Sequence, residues 1–287
     1  LARESRRFNR AYCQQAVCGP SRNSILTGRL PDNTRVWHNR NLFRDTLPDA
    51  VTLPEYFKSH GYHAQSLGKV FSGRDRVEER DPQSWSVPPL LRESGWSNYT
   101  LPENQGVSGN GEATEMADVT DEGYSDGKLA ALAVETLQNL AERKQPFFLA
   151  VGFFKPHLPF CAPKKYWDLY DPAELGFAGS TARTLGAPDI AYHEHRELGG
   201  YKDVPKDEKF GADKTRHLRH GYYACVSYAD AQVGKLLDAI GRLGLEENTI
   251  VVFWGDHGYA LGEGDRWCKS TNFEMDTRTP LMFRFPG

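Results

Sequence analysis

Cys18-Gly19-Pro20-Ser21-Arg22-Asn23-Ser24-Ile25-Leu26-Thr27-Gly28-Arg29 is the stretch around which the rest of the chain is organised. From Ser21 to Leu26 nothing breaks a helix, and Thr27-Gly28 offers a stop. Pro20 suits the first turn, where its missing N–H removes no needed donor. Cys18 then stands at a helix N-terminus, where exposed N–H groups and the dipole favour negative charge. Arg22 follows one turn on and can face the same point. A cysteine so placed is a candidate reactive group. The competing reading is a small buried thiol.

Outward from this stretch the chain alternates helix and strand. Residues 1 to 10 read as the end of a helix with Arg3, Arg6, Arg7 and Arg10 on a solvated face, and residues 31 to 48 as a loop. Thr52-Leu53-Pro54-Glu55 predicts a capped helix start, with Gly61 as its stop. Residues 62 to 70 read as a strand ending at Lys69. The stretch 124 to 143 carries helical spacing. Phe147 to Phe154 is a continuous apolar run, as in a strand buried on both faces. A short helix is predicted over 163 to 170 and a long one over 217 to 243, with Val226, Ala229, Val233, Leu236, Leu237 and Ile240 on its apolar side. Residues 249 to 254 read as a second buried strand and 280 to 285 as a last, shorter one. Residues 72–121 and 171–213 lack periodicity and read as irregular insertions.

Ionisable residues gather where strands end. Lys69, His157 and the pair Asp256-His257 each stand at or just past a strand's carboxyl end, the edge at which open α/β sheets bind ligands. Singly, each has a dull explanation as solvated surface or turn. Their coincidence after three strands points to a site.

The 287 residues, 39% hydrophobic and 25% charged, fit an ordinary globular protein of one large or two smaller α/β domains. A net charge of -3 offers no footprint for nucleic acid. No apolar stretch approaches the ~20 residues of a membrane span. Cys13, Cys18, Cys161, Cys225 and Cys268 lack the paired spacing of a zinc site. Asn98-Tyr99-Thr100 is a glycosylation sequon. Leu1 falls in what reads as mid-helix and Phe285-Pro286-Gly287 directly follows a strand-like run, so we take the chain as a piece of a longer protein.

Cys-x-Pro-Ser-Arg followed by Leu-Thr-Gly-Arg resembles the signature of type I sulfatases, matched without a gap from Cys18 to Arg29. Two further segments resemble that family: Phe148 to Phe160, including Lys155-Pro156-His157, and Trp254-Gly255-Asp256-His257-Gly258-Tyr259-Ala260-Leu261-Gly262-Glu263. With Trp267 to Phe273, the wording is nearest to the iduronate-2-sulfatase-like branch. The resemblance implies an alkaline-phosphatase-like α/β fold with a mostly parallel central sheet flanked by helices, lacking here its first strand and the C-terminal subdomain. Residues 1 to 287 would be one sulfatase-type catalytic domain in part.

By matching position, the resemblance makes Cys18 the residue oxidised to formylglycine by a formylglycine-generating enzyme, and Arg22 the group that holds and acidifies its hydrate. Asp256 and His257 would bind a divalent cation, calcium in this branch. Lys69, His157 and Lys269 would contact the sulfate, with His157 or Lys269 returning a proton to the leaving alcohol. Tyr259 would line the sugar pocket. The implied substrate is a sulfated saccharide or uronic acid, and the implied compartment is secreted, periplasmic or lysosomal. Two alternatives stay open: a phosphoesterase or phosphonate hydrolase of the same superfamily, and a non-catalytic binder of sulfated glycans.

Two departures from the pattern stand out. Many relatives carry a histidine just after the strand-end lysine; here Ser72 occupies that place, leaving His63 or His60 as possible substitutes. Hard cations take about six or more oxygen-rich ligands, and the motifs supply only Asp256 and His257. We expect the others on an upstream strand ending in two aspartates, and no turnover from these 287 residues alone.

Overall fold

The computed structural model describes residues 1–71, 81–90, 99–105, 111–176, 180–193, 197–205 and 210–286. Its helices are α1 (Cys18–Thr27), α2 (Pro31–Thr34), α3 (Leu53–Ser59), α4 (Ser125–Ala141), α5 (Lys164–Trp167), α6 (Ala212–Arg242) and α7 (Glu274–Thr277). Its strands are β1 (Arg6–Arg7), β2 (Ala11–Tyr12), β3 (His63–Gly68), β4 (Thr114–Ala117), β5 (Phe147–Gly152), β6 (Phe160–Pro163), β7 (Val251–Trp254), β8 (Ala260–Leu261), β9 (Trp267–Cys268), β10 (Arg278–Thr279) and β11 (Leu281–Arg284). None of the described helices is long and apolar enough to cross a membrane.

This is a mixed α/β architecture. β3 and β5 run parallel from His63 opposite Phe147 to Gly68 opposite Gly152. β4 and β6 form a second parallel pair. β7 pairs antiparallel with β11, whose other edge takes β1. The β3–β5 pair needs a crossover, and α4 supplies it, packing Leu129 and Ala133 onto Leu67. α4, α6 and β7 share a further core of Leu137, Ala239 and Ile240. The largest core gathers Tyr124, Phe160, Trp167, Leu218 and Tyr228 between β6, α5 and α6.

Local chemistry explains the element ends. Thr52 Oγ1 accepts from Glu55 N at 3.3 Å and Glu55 Oε2 accepts from Thr52 N at 3.4 Å, completing the capping box that starts α3. Such a cap contributes about 1 kcal/mol. Gly28 closes α1 at φ 65°, its N–H donating to Ser24 O at 2.9 Å. β3 and β5 both end on glycine, and there the chains approach closely: Lys69 N donates to Gly152 O at 2.8 Å.

Several expectations need correction. Residues 1–10 do not end a helix; a 3-10 turn at Ala2–Glu4 leads into β1, because the free edge of β11 offers backbone partners that local propensity does not foresee. The four arginines are exposed, but not along a helix. Within β5 only Ala150 is buried, and Val252 of β7 is 39% exposed, so neither strand is covered on both faces. Among the described residues each has a neighbour on one edge only.

α6 begins five residues earlier than its apolar pattern, and its buried stripe is Leu218, Cys225, Tyr228, Gln232 and Ala239, while Val226 is exposed. Tyr228 and Gln232 are buried because both are satisfied: Tyr228 Oη donates to Asp121 O at 2.8 Å and Gln232 Nε2 to Asp121 Oδ2 at 3.3 Å. The loop of 31–48 contains α2, and the irregular 72–121 contains β4. Ser72 and Asn98 lie outside the described residues.

A Cβ on Gly152 would collide with the Lys69 carbonyl. Gly152→Ala is therefore expected to lower stability by about 3 kcal/mol or more, read as a shift of the urea midpoint, and to move Lys69 away from the end of β3.

Candidate active site

Helix α1 places Cys18 in its first turn and Arg22 one turn later. The N-terminal end is braced from outside, since Gly19 N donates to Asn39 Oδ1 at 2.8 Å. Arg22 is the tie between elements. Its Nε donates to Asp256 Oδ2 at 2.7 Å, just past β7. Its Nη1 donates to the carbonyls of Lys69 and Val70, the latter at 3.0 Å, just past β3. Ser21 Oγ also donates to the Asp256 carbonyl. One helix face thus holds two strand ends together.

Around Cys18 Sγ stand His257 Nε2 at 3.3 Å, Lys69 Nζ at 3.5 Å and Lys269 Nζ at 3.8 Å. Cys18, Lys69 and Lys269 are all buried. Burial opposes ionisation of Cys18, but the two ammonium groups, with the His257 hydrogen bond, bring its thiol down to about 6. Burial, with Arg22 and Lys269 nearby, lowers the pKa of Lys69 despite the pull of Cys18 and Asp256. Burial also acts against the charge of Lys269, yet Cys18 and Glu197 more than offset it and raise its pKa. Asp256 is held well below the usual carboxylate range, the burial cost being outweighed by Arg22 and His257.

Two strand-end loops complete the site. The segment after β5 is held by Asp126 at the start of α4, which accepts from Phe154 N at 2.9 Å and Lys155 N at 2.8 Å. This fixes the loop that carries His157. His157 Nδ1 donates to Leu158 O at 2.6 Å, so Nε2 is the atom turned toward Glu197 Oε2, 3.9 Å away. Burial, then Lys269 and Lys69, push the His157 pKa well below its ordinary value, leaving the ring neutral. The segment after β9 brings in Lys269 between two residues of positive φ, Cys268 at 68° and Ser270 at 88°. Left-handed backbone at non-glycine residues costs about 1–3 kcal/mol each and persists where surroundings hold it.

Of the residues named from sequence, Cys18, Arg22, Lys69, Asp256, His257 and Lys269 come together directly. His157 joins through Glu197, which lies 3.0 Å from Lys269 Nζ. Tyr259 is one step removed: its ring stacks on Tyr222 at 5.5 Å and its Oη donates to Cys268 Sγ at 3.3 Å, beside Lys269. His63 and His60 do not substitute near Cys18. His63 starts β3, a whole strand from Lys69, against Gln65 and Arg143, and His60 caps α3 with exposed surface. Glu197 and His193 escaped the sequence reading because 171–213 carries no periodicity to mark them. Asn39 and Asp126 escaped because each works through backbone N–H groups.

Cys18, Asp256 and His257 offer ligand atoms all within 4.8 Å of one another. His257 Nδ1 donates to Gly258 O at 2.7 Å, which turns Nε2 toward this group, 3.7 Å from Asp256 Oδ2. The pair fits one side of a divalent-cation site, with an oxygen-bearing group at position 18 as its neighbour. A hard cation needs about 6–8 oxygen ligands, more than these residues supply.

A family model described as Sulfatase matches residues 1–287. Human iduronate 2-sulfatase is 38% identical over 300 residues, an alignment covering 100% of this chain and 54% of that protein. A choline-sulfatase of Rhizobium meliloti (strain 1021) is 32% identical over 305 residues, covering 100% of this chain and 57% of that protein. Among solved structures, the phosphonate monoester hydrolase of Agrobacterium radiobacter matches with a TM-score of 0.75 at 22% identity, covering 100% of this chain and 62% of that one. A likeness at that identity concerns the fold. The chain spans just over half the length of the curated relatives it matches.

As an unconverted thiol, Cys18 is expected to react with iodoacetamide at half its limiting rate near pH 6, because the thiolate prevails above its pKa and is lost below it. Lys269→Ala removes one of the two ammonium groups and should move that midpoint up toward the ordinary 9.0, read by mass spectrometry of the alkylated peptide.

Proposed function

This chain belongs to the sulfatase family, with its alkaline-phosphatase-like α/β fold, and we propose that residues 1 to 287 carry the nucleophile face of an enzyme that hydrolyses sulfate esters of a sugar or uronic acid. The observation that carries the reading is the position of Cys18: a helix N-terminus, two buried ammonium groups within 3.8 Å, and an imidazole–carboxylate pair on the other side. Cations so fixed suit the outer oxygens of a sulfate ester, where negative charge resides.

In this reading Cys18 is converted to formylglycine by a formylglycine-generating enzyme, and the aldehyde stands as its hydrate. One hydroxyl oxygen of the hydrate attacks sulfur, and the S–O bond to the alcohol breaks. The Lys269 ammonium gives its proton to the departing alcohol oxygen, while the unprotonated Nε2 of His157 takes up the proton of the attacking hydroxyl. Deprotonation of the second hydroxyl then restores the C=O bond and expels sulfate, and water adds again to the aldehyde. A thiol or a serine has no second hydroxyl and could not release the bound sulfate this way.

The fixed charges divide the work. Lys69 and Lys269 hold the outer oxygens. Arg22 keeps Asp256 ionised and oriented. Asp256 and His257 would hold a divalent cation, calcium in this reading, which supplies Lewis-acid polarisation when bound. Tyr259, whose Oη donates to Cys268 Sγ, would line the sugar pocket in this reading.

The test is turnover by the full-length protein. It is expected to hydrolyse 4-nitrophenyl sulfate and a sulfated uronide far faster than the matching phosphate esters, and peptide mass spectrometry should find an aldehyde at position 18. Cys18→Ala should remove activity by about 10^4-fold or more. Faster phosphate turnover, or an unconverted thiol in active protein from the native host, would overturn the reading.

Chelation provides a second check on the same protein. Removing divalent ions should abolish turnover and adding calcium back should restore it, while Asp256→Asn should raise the calcium concentration needed by about 10-fold or more.

A further inference from the structure

Among the described residues of the 171–213 stretch, Glu197 and His193 both end on Lys269. Glu197 Oε2 lies 3.0 Å from Lys269 Nζ. His193 Nε2 donates to the Lys269 carbonyl at 2.6 Å. We propose that Glu197 is a positioning residue, which with His193 as a second hold fixes the Lys269 ammonium against the Cys18 side chain and beside His157. The proposal rests on the sulfate-ester reading of the site.

Lys269 needs holding for two reasons. Its backbone runs between Cys268 and Ser270, both left-handed without being glycine, a path that persists only where surrounding groups enforce it. The His193 hydrogen bond grips the carbonyl between them, and Tyr259 Oη reaches Cys268 Sγ at 3.3 Å. Its side chain is a flexible four-carbon stem carrying a point charge, which has many rotamers to choose from. Cys18 Sγ, 3.8 Å away, fixes only one direction. Glu197 supplies the second, so the ammonium is strung between two partners.

The same carboxylate oxygen lies 3.9 Å from His157 Nε2. His157 Nδ1 is committed to Leu158 O, so Nε2 is the nitrogen that faces Glu197. Glu197 therefore sets the Lys269 ammonium beside the neutral ring of His157. A carboxylate beside an anion site repels the incoming sulfate. Its contribution is accordingly to orientation, and the kinetic signature of orientation is kcat.

The experiment uses the full-length protein. Glu197→Gln, which keeps the shape and removes the charge, is expected to lower kcat on 4-nitrophenyl sulfate by about 10- to 100-fold, with KM unchanged or smaller. Glu197→Asp should recover part of the loss. His193→Ala should lower kcat in the same direction by loosening the carbonyl.

A readout independent of turnover is iodoacetamide alkylation of unconverted Cys18 in the presence of a chelator at pH 6. If Glu197 positions Lys269, Glu197→Gln slows alkylation because the ammonium drifts off the thiolate. If Glu197 is only an opposing charge, its removal speeds alkylation. Unchanged kcat, or faster alkylation, would overturn the proposal. A wild-type protein that turns over no sulfate ester, while Glu197→Gln still slows alkylation, would sink the sulfate-ester reading and leave the positioning role standing.

Discussion

One guanidinium holds the site together. Arg22 reaches from the first helix to a carboxylate after one strand and to two carbonyls after another. Without it, Asp256 would be a desolvated anion that has lost its 2.7 Å partner, and the two strand ends would lose the side chain that joins them. Removing one member of a largely buried ion pair costs about 3–5 kcal/mol. The Arg22–Asp256 pair therefore matters less for what it adds to stability than for what its loss would undo. Arg22 ties Asp256, the neighbour of His257, to the carbonyls of Lys69 and Val70 that follow β3.

The charges around this tie are arranged for an anion. Lys69, Lys269 and Arg22 are cationic, while Asp256 and Glu197 are the acids in contact with them. Asp256 is spoken for by Arg22, and Glu197 by Lys269. Cys18 Sγ meets the two ammonium groups, Lys69 at 3.5 Å and Lys269 at 3.8 Å. In a dry site such charges act far more strongly than in water. The thiol brought down to about 6 is one sign of that field, and a sulfate ester would meet the same field.

Much of the fold was legible from local chemistry. α3 was legible because Thr52 and Glu55 form a capping box, and α4 because its leucines recur every turn. The short strands β1 and β2 were not, since two residues carry no period and only the partners β11 and β10 define them. The buried face of α6 was misread for a different reason. Tyr228 and Gln232 enter the core on the strength of hydrogen bonds to Asp121, and periodicity sees only apolarity.

The site divides in the same way. The residue types Cys18, Arg22, Lys69, His157, Asp256, His257 and Lys269 were readable from sequence, because each sits in a short motif or at the end of a strand, where local rules operate. Which of them touch, and through whom, was decided by tertiary structure. Distances of 3 to 4 Å between residues up to 251 positions apart depend on how strands pair and loops return, and no local rule encodes them. Glu197 and His193 show this most plainly: their stretch has no pattern of its own, and only the folded chain brings them against Lys269.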